Sequence, residues 1–318
     1  MSRDIHPPKY IIVLGTSYSG SGAVYDYLAG RGDLHDPLAG EEYLLPHLPN
    51  GLMSLESAAG PSFHHAISDH AVVQFERLTN ILARPATRMY DGRNYSAYLP
   101  EFLSETVNFL NTVTAAEMPI QLIWRKLEES GVQRIMSRIK KRLGFPKRAK
   151  PTYLLVDRDK VCDAARIMHD GLFVWQSGIP TLLNQAGSGW NPIESTKYFE
   201  SRKIVLVLRD PRDQFAELKK FKKAKDVEEF VKWFLALQER LNQIDDKALL
   251  KLNFEDFVYN HSSVVPRVCE FLGLDNEVSS TYRVDLSKNN IGKYKSWLTP
   301  WEVEHIEEML IFKNRNNG

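Results

Sequence analysis

Cysteine is almost missing from this chain. Only Cys162 and Cys269 occur among its 318 residues, far apart and without metal-ligand spacing, which excludes a disulfide framework and a zinc site and leaves both as expected core residues. Net charge is nearly missing as well. Lys plus Arg number 41 against 40 Asp plus Glu, so the formal +1 implies no general attraction to nucleic acid or membrane, and any basic site must be local. No apolar run approaches a signal-peptide core or a membrane span, and the first residues, MSRDIHPPKY, are polar and proline-bearing. A cytoplasmic protein is the expectation. A Walker loop is also lacking: counted from Gly15, GxxxxGK[ST] requires lysine where this chain has Ser21, which disfavours an ordinary ATPase or GTPase loop. What is present, 43% hydrophobic and 25% charged, excludes disorder and suffices for one large α/β domain with an insertion or for two smaller domains.

The most informative stretch is KYIIVLGTSYSGSGAVYDYL, residues 9–28. Residues 10–14 are short, apolar and β-branched and stop at Gly15, which predicts a buried strand. A turn of small residues follows through Gly22, and Ala23, Val24, Tyr27 and Leu28 then recur at helical spacing. Strand, glycine-rich turn and helix in this order gather free backbone N–H groups at the positive end of a helix dipole, an arrangement suited to phosphate or sulfate. Ser17, Ser19 and Ser21 add hydroxyls, and glycine at 20 and 22 permits close approach of an anion. Any α/β protein uses such a turn to change direction, so the stretch alone leaves both readings open.

Residues 30–49 read as a loop returning to the sheet, with Glu41 and Glu42 placed before an apolar Tyr43, Leu44 and Leu45. These acids are either a general base near the opening turn or a solvated loop pair. Helices are predicted over 72–82 and 98–110, separated by the breakers Pro85 and Gly92. Between 134 and 150 lie Arg134, Arg138, Lys140, Lys141, Arg142, Lys147, Arg148 and Lys150 with no acid, a local density suited to an anionic glycan, a membrane surface or RNA, or to a plain solvated helix. Phe145 is its one aromatic, which weakens a single-stranded nucleic-acid reading.

Further on, 160–175 reads as a helix, Thr181–Asn184 as a short strand, and 203–208 as a strand covered on both faces. A long amphipathic helix over 226–244, a strand over 248–252 and a helix over 255–272 broken near Ser262 and Pro266 follow. Thr299, Pro300 and Glu302 cap a terminal helix. Strands separated by helices predict a mainly parallel sheet. Directly after 203–208 comes RDPRDQF, which sets Arg209 at the carboxyl end of a parallel strand, where ligands of open sheets bind. An ion pair from Arg209 to Asp213 closing the turn is the alternative.

A strand with GTSYSGSGA and a helix, then RDPRDQF about two hundred residues later, then FEDF with FLGL, then NNIGKYK, resembles the sulfotransferases that use 3′-phosphoadenosine-5′-phosphosulfate. The blocks stand in the family's order and bracket nearly the whole chain. The resemblance implies an α/β, three-layer P-loop-like fold with a central, mainly parallel sheet flanked by helices. It also implies a single domain over 1–318 with a helical, basic, acceptor-side insertion at about 72–150. It assigns Ser17, Tyr18, Ser19, Gly20, Ser21 and Gly22 to the 5′-phosphosulfate and Arg209 to the 3′-phosphate. Lys288 becomes the basic residue of a closing C-terminal loop, with Lys293 and Lys295 nearby, and Glu41 or Glu42 the base. The acceptor it implies is a carbohydrate or glycolipid hydroxyl, with no nucleic-acid partner and no metal, and with membrane or anionic-glycan contact through 134–150.

Two departures from the family pattern stand out. Tyr18 occupies the place of a Lys or Arg that meets the bridging oxygen, and Glu217 the place of a phosphate-binding serine. A phenol donates one hydrogen bond without charge, and a carboxylate repels phosphate. A non-catalytic nucleotide binder is therefore a competing expectation, and a kinase a weaker one, lacking the Walker lysine.

Overall fold

The structure, a computed structural model, describes residues 7–61, 63–120, 122–143, 151–155, 157–173 and 178–316. Lys147, Arg148 and Lys150 of the basic stretch, and Trp175 of the helix expected over 160–175, lie outside them. The described residues form two compact units, one made of 1–46 with 173–318 and the other of 47–172.

In the first unit β1 (Tyr10–Gly15) is an inner strand because five consecutive apolar residues, Tyr10 to Leu14, have no solvent exposure at all. A strand buried on both faces needs parallel neighbours and helical cover, and both are present. With β2 (Ala116–Met118) and β3 (Thr152–Leu154) in the other unit, the remaining strands are β4 (Thr181–Asn184), β5 (Arg202–Leu208) and β6 (Leu249–Asn253). The sheet order is β4-β1-β5-β6, parallel throughout, with Ile11 opposite Leu182 and Lys203, and Val207 opposite Leu252. Ile11, Val13, Val205 and Val207 pack with Val24, Leu28, Phe257 and Leu272 from helices Ser21–Ala29, Phe254–Tyr259 and His261–Leu272. A second core joins Phe215, Phe230, Phe234 and Ile306 from helices Pro211–Lys220, Val227–Asn242 and Pro300–Asn316. The fold is thus α/β, with a central parallel sheet flanked by helices.

The segment after the first helix runs beside β4. His35 pairs with Thr181 and Glu42 with Asn184, and the Tyr43 amide donates to the Asn184 carbonyl at 2.8 Å.

The second unit is mainly helical, with an antiparallel β2-β3 pair. Asp69, fully buried, holds it together by accepting from Trp124 Nε1 (3.0 Å), Arg125 Nε (2.9 Å) and Nη2 (2.5 Å), and the Tyr153 amide (2.9 Å).

Several expected boundaries need correction. The helix expected from 72 begins at His65, since Ser68 and Asp69 take the inner positions of its first turns. Tyr95–Tyr98 and Phe102–Val113 are separate helices, because Pro100 restricts the residue before it. The expected break near Pro266 is absent, and Pro266 lies within a continuous helix whose Val264, Val268, Cys269 and Leu272 are buried. The break expected near Ser262 is present, at Asn260 between Phe254–Tyr259 and His261–Leu272. Cys269 is buried, but Cys162 is only half-buried and so not a core residue. No described helix is long and apolar enough to cross a membrane.

Candidate functional site

From β1 the chain goes on to β4 on one side, while β5 connects onward to β6 on the other. Connections that leave neighbouring parallel strands in opposite directions open a crevice at their carboxyl ends. The loop after Gly15 and Arg209 after Leu208 flank that crevice.

The loop is tight. Its turn closes with the Ser19 amide on the Thr16 carbonyl at 2.9 Å, and both Tyr18 (φ 60°) and Gly20 (φ 83°) are left-handed. Gly15 must be glycine, because a Cβ there would lie 2.1 Å from Ser19 Oγ. Gly20 is the N-cap of Ser21–Ala29 and no side chain caps this helix; the Ala23 amide donates back to the Gly20 carbonyl at 3.1 Å, which leaves the Ser21 and Gly22 amides as the donors a ligand at this helix start would meet. Ser17 and Gly22 are exposed and Ser19 and Ser21 buried. Two glutamines brace the loop. Gln214 Nε2 donates to Thr16 Oγ1 (3.0 Å) and the Ser17 carbonyl (2.6 Å), while Gln185 accepts from the Gly15 amide (3.2 Å) and donates to Ser21 Oγ (2.9 Å).

Arg209 joins three distant parts of the chain. Its Nη1 donates to the Tyr18 carbonyl at 2.9 Å, its Nη2 to the Asn290 carbonyl, and its guanidinium carbon stands 5.4 Å from the centre of the Phe254 ring. The ion pair to Asp213 considered from the sequence does not form. Asp213 instead accepts from the Gly292 (2.6 Å) and Tyr294 (2.9 Å) amides, so the 290–294 strap is tied to the end of β5 by both residues. Asp210 caps the following helix through the Arg212 amide at 2.8 Å, with Pro211 in its first turn.

Two buried polar atoms here have no hydrogen-bond partner, Ser19 Oγ and Arg209 Nε. Unsatisfied donors cost free energy in a dry site, and an anionic ligand in the crevice is the chemistry that answers them. The residues present therefore fit a phosphosulfate group at the loop.

The remaining expected site residues are distributed unevenly. Glu42 sits level with the carboxyl end of β4, on the edge of that strand away from β1, with Glu41 one residue before it; both are half-buried. Lys293 Nζ is 2.8 Å from Glu217 Oε1 and 2.7 Å from Asn290 Oδ1. Lys288 is half-exposed and paired with Asp285 at 2.7 Å. The Tyr18 ring lies flat on Phe221 (5.3 Å between centroids, 5° between planes), with Lys223 Nζ 5.0 Å from its centre. Lys223 and Gln185 escaped the sequence reading, since nothing in their spacing marks them; Phe254 stood within FEDF, and Gln214 and Asp213 within RDPRDQF, without a role being given to them.

A cleft of about 380 Å³ opens at the ends of β5 and β6, bordered by Thr16, Arg209, Gln214, Lys251 and Glu255 among others. Burial holds the Glu255 carboxyl above its usual range, although the Asp210 amide donates to it.

Compared with known proteins, the chain matches no family model. No curated protein matches either. Among solved structures it is similar to the sulfotransferase domain of the Synechococcus PCC 7002 olefin synthase, with 12% identity, 98% of each chain covered and a TM-score of 0.44. It is also similar to the sulfotransferase domain from the curacin biosynthetic pathway (13% identity, 95% of this chain and 97% of that one, TM-score 0.40). Sulfotransferase STF9 of Mycobacterium avium matches at 12% identity over 98% of this chain and 78% of its own, with a TM-score of 0.37.

Proposed function

We propose that the chain is a sulfotransferase that moves a sulfuryl group from 3′-phosphoadenosine-5′-phosphosulfate to a hydroxyl of a carbohydrate or glycolipid. The observation that carries this reading is Arg209, which draws the opening loop and the 290–294 strap together at the end of β5. Three segments singled out in sequence as nucleotide contacts meet at one crevice.

In this reading the Ser21 and Gly22 amides and the Ser19 and Ser21 hydroxyls hold the 5′-phosphosulfate, and Arg209 with Lys293 holds the 3′-phosphate. Lys288 is the outer cation of the strap. Transfer is in-line and loose: the acceptor oxygen bonds to sulfur as the bridging S–O bond breaks, and 3′,5′-ADP leaves. Glu41 or Glu42 takes the acceptor proton. Lys223, drawn over the Tyr18 ring, supplies the positive charge that Tyr18 itself lacks.

Calorimetric titration with 3′,5′-ADP, with ATP as comparison, tests the reading. Micromolar binding of the first and little of the second supports it, and no binding of 3′,5′-ADP overturns it. Arg209→Ala is expected to weaken 3′,5′-ADP far more than adenosine 5′-phosphosulfate. One of Glu41→Gln and Glu42→Gln should lower turnover by roughly a hundred-fold or more. Full turnover in both removes the base assignment.

A non-catalytic nucleotide binder is the second reading, and one observation favours it: Glu217 already neutralises Lys293. Binding of 3′,5′-ADP without product formation would select it.

A further inference from the structure

The Gly131–Arg142 helix, GVQRIMSRIKKR, carries its apolar residues at Val132, Ile135, Met136, Ile139 and, just beyond it, Leu143. At helical spacing these lie within an arc of about 100°. Such a stripe belongs against a core. Here it is bare: Val132 is 72% exposed, Ile135 58%, Met136 48%, Ile139 46% and Leu143 67%. The preceding helix, Ile123–Leu127, adds Ile123 at 74% and Leu127 at 72%, and Arg134 Nη2 ties the two helices by donating to the Lys126 carbonyl at 3.1 Å. A contiguous exposed apolar stripe on a globular protein marks a surface that something else covers.

The charges around the stripe indicate what. Acids stop at Glu129, and from there to Lys150 every ionisable residue in the sequence is basic. Arg138 and Arg134 follow the face away from the stripe, and Arg142 stands beside Ile135 at its border. A second copy laid on the same stripe would set these cations against their own images, which is unfavourable. The apolar face of the Gly131–Arg142 helix, flanked by Arg134, Arg138 and Arg142 and with no acid in the helix itself, matches the acyl chains and anionic headgroups of a bilayer.

We propose that the Gly131–Arg142 helix is a peripheral membrane anchor that lies in the plane of an anionic lipid surface, with Ile135, Met136 and Ile139 in the acyl boundary and its arginines among the headgroups. The inference is independent of the chemistry proposed for the crevice. A chain held this way meets molecules presented at a membrane surface without a helix that crosses it.

The test is co-sedimentation of the full chain with vesicles of phosphatidylcholine alone and of phosphatidylcholine mixed with phosphatidylglycerol. Binding to the mixed vesicles should exceed binding to the neutral ones by roughly five-fold for each arginine that reaches the surface, and should fall with added salt. Ile135→Glu with Ile139→Glu changes only exposed positions, so its far-ultraviolet circular dichroism should be unaltered while sedimentation drops at least to the neutral-vesicle level. Equal binding by this variant means that charge alone acts, and overturns the proposal. So does an absence of binding to mixed vesicles. A lipid-free dimer in light scattering that the same variant disperses assigns the stripe to a second copy and overturns it too.

Discussion

Lys293 holds Glu217 in a buried grip: the ammonium is 2.8 Å from a carboxylate whose side chain is only 9% exposed. From sequence, a carboxylate at 217 was expected to repel a nucleotide phosphate. The structure resolves that conflict internally, since the cation on the strap already has its anion. A bound phosphate must then compete with Glu217 for Lys293. Glu217→Ser should tighten 3′,5′-ADP by roughly ten-fold, the scale of one charge-assisted hydrogen bond, as measured by calorimetry. Unchanged or weaker binding places the 3′-phosphate elsewhere.

The two glycines of the loop should answer differently to alanine. At Gly20 the backbone is left-handed and a Cβ would sit 2.5 Å from the Phe254 ring, so Gly20→Ala should cost at least about 1–3 kcal/mol in thermal unfolding. Around Gly22 a Cβ meets nothing within 4 Å and the residue is helical, so Gly22→Ala should be neutral or stabilising by up to about 1 kcal/mol. Its effect should fall on anion affinity. A Gly22→Ala protein that keeps both its melting temperature and its ligand affinity would show that the anion does not approach this turn.

Lys223 is exposed, so removing it should leave the fold intact. Lys223→Ala should lower turnover by roughly ten- to hundred-fold with little change in the KM for the acceptor, and Lys223→Arg should recover part of the loss. Initial rates of the three proteins decide this, and an unaffected kcat sinks the role.

The terminal helix is expected to be acid-sensitive through Glu302. Burial raises its carboxyl, but Lys219 at 2.7 Å and the Thr299 amide and hydroxyl outweigh that and hold it below the usual carboxylate value of 4.5. A depressed pKa contributes stability above the unfolded value and loses it as pH falls through the folded one. Glu302→Gln should therefore cost about 1 kcal/mol near pH 7, and the gap to the parent should close as the pH drops below 4.5. Melting curves across that range check it; a constant gap contradicts the charge argument.

The capping box at Thr299 and Glu302 was legible because local chemistry determines it, as were Thr181–Asn184, β5 and the opening loop, where burial on both faces or a glycine run leaves few alternatives. Less was readable where polar residues act as core. Asp69 and Ser68 face inward on a helix whose apolar pattern begins only later, so its start was misplaced. The β2-β3 pair joins residues more than thirty apart, with short exposed strand 116–118, and has no local signal. At the site, sequence spacing named Arg209 but not its partners, which are backbone carbonyls and carry no side-chain code.

Tyr43 and Phe173 meet edge to face, with ring centroids 5.3 Å apart, where the chain leaves the sheet-bearing unit and where it returns. The excursion between them thus starts and ends at neighbouring points of the sheet-bearing unit. Loop length between adjacent anchors is thermodynamically cheap to change. A change in the length of residues 47–172 therefore leaves the strand pairing β4-β1-β5-β6 as it is, since none of those four strands lies within them.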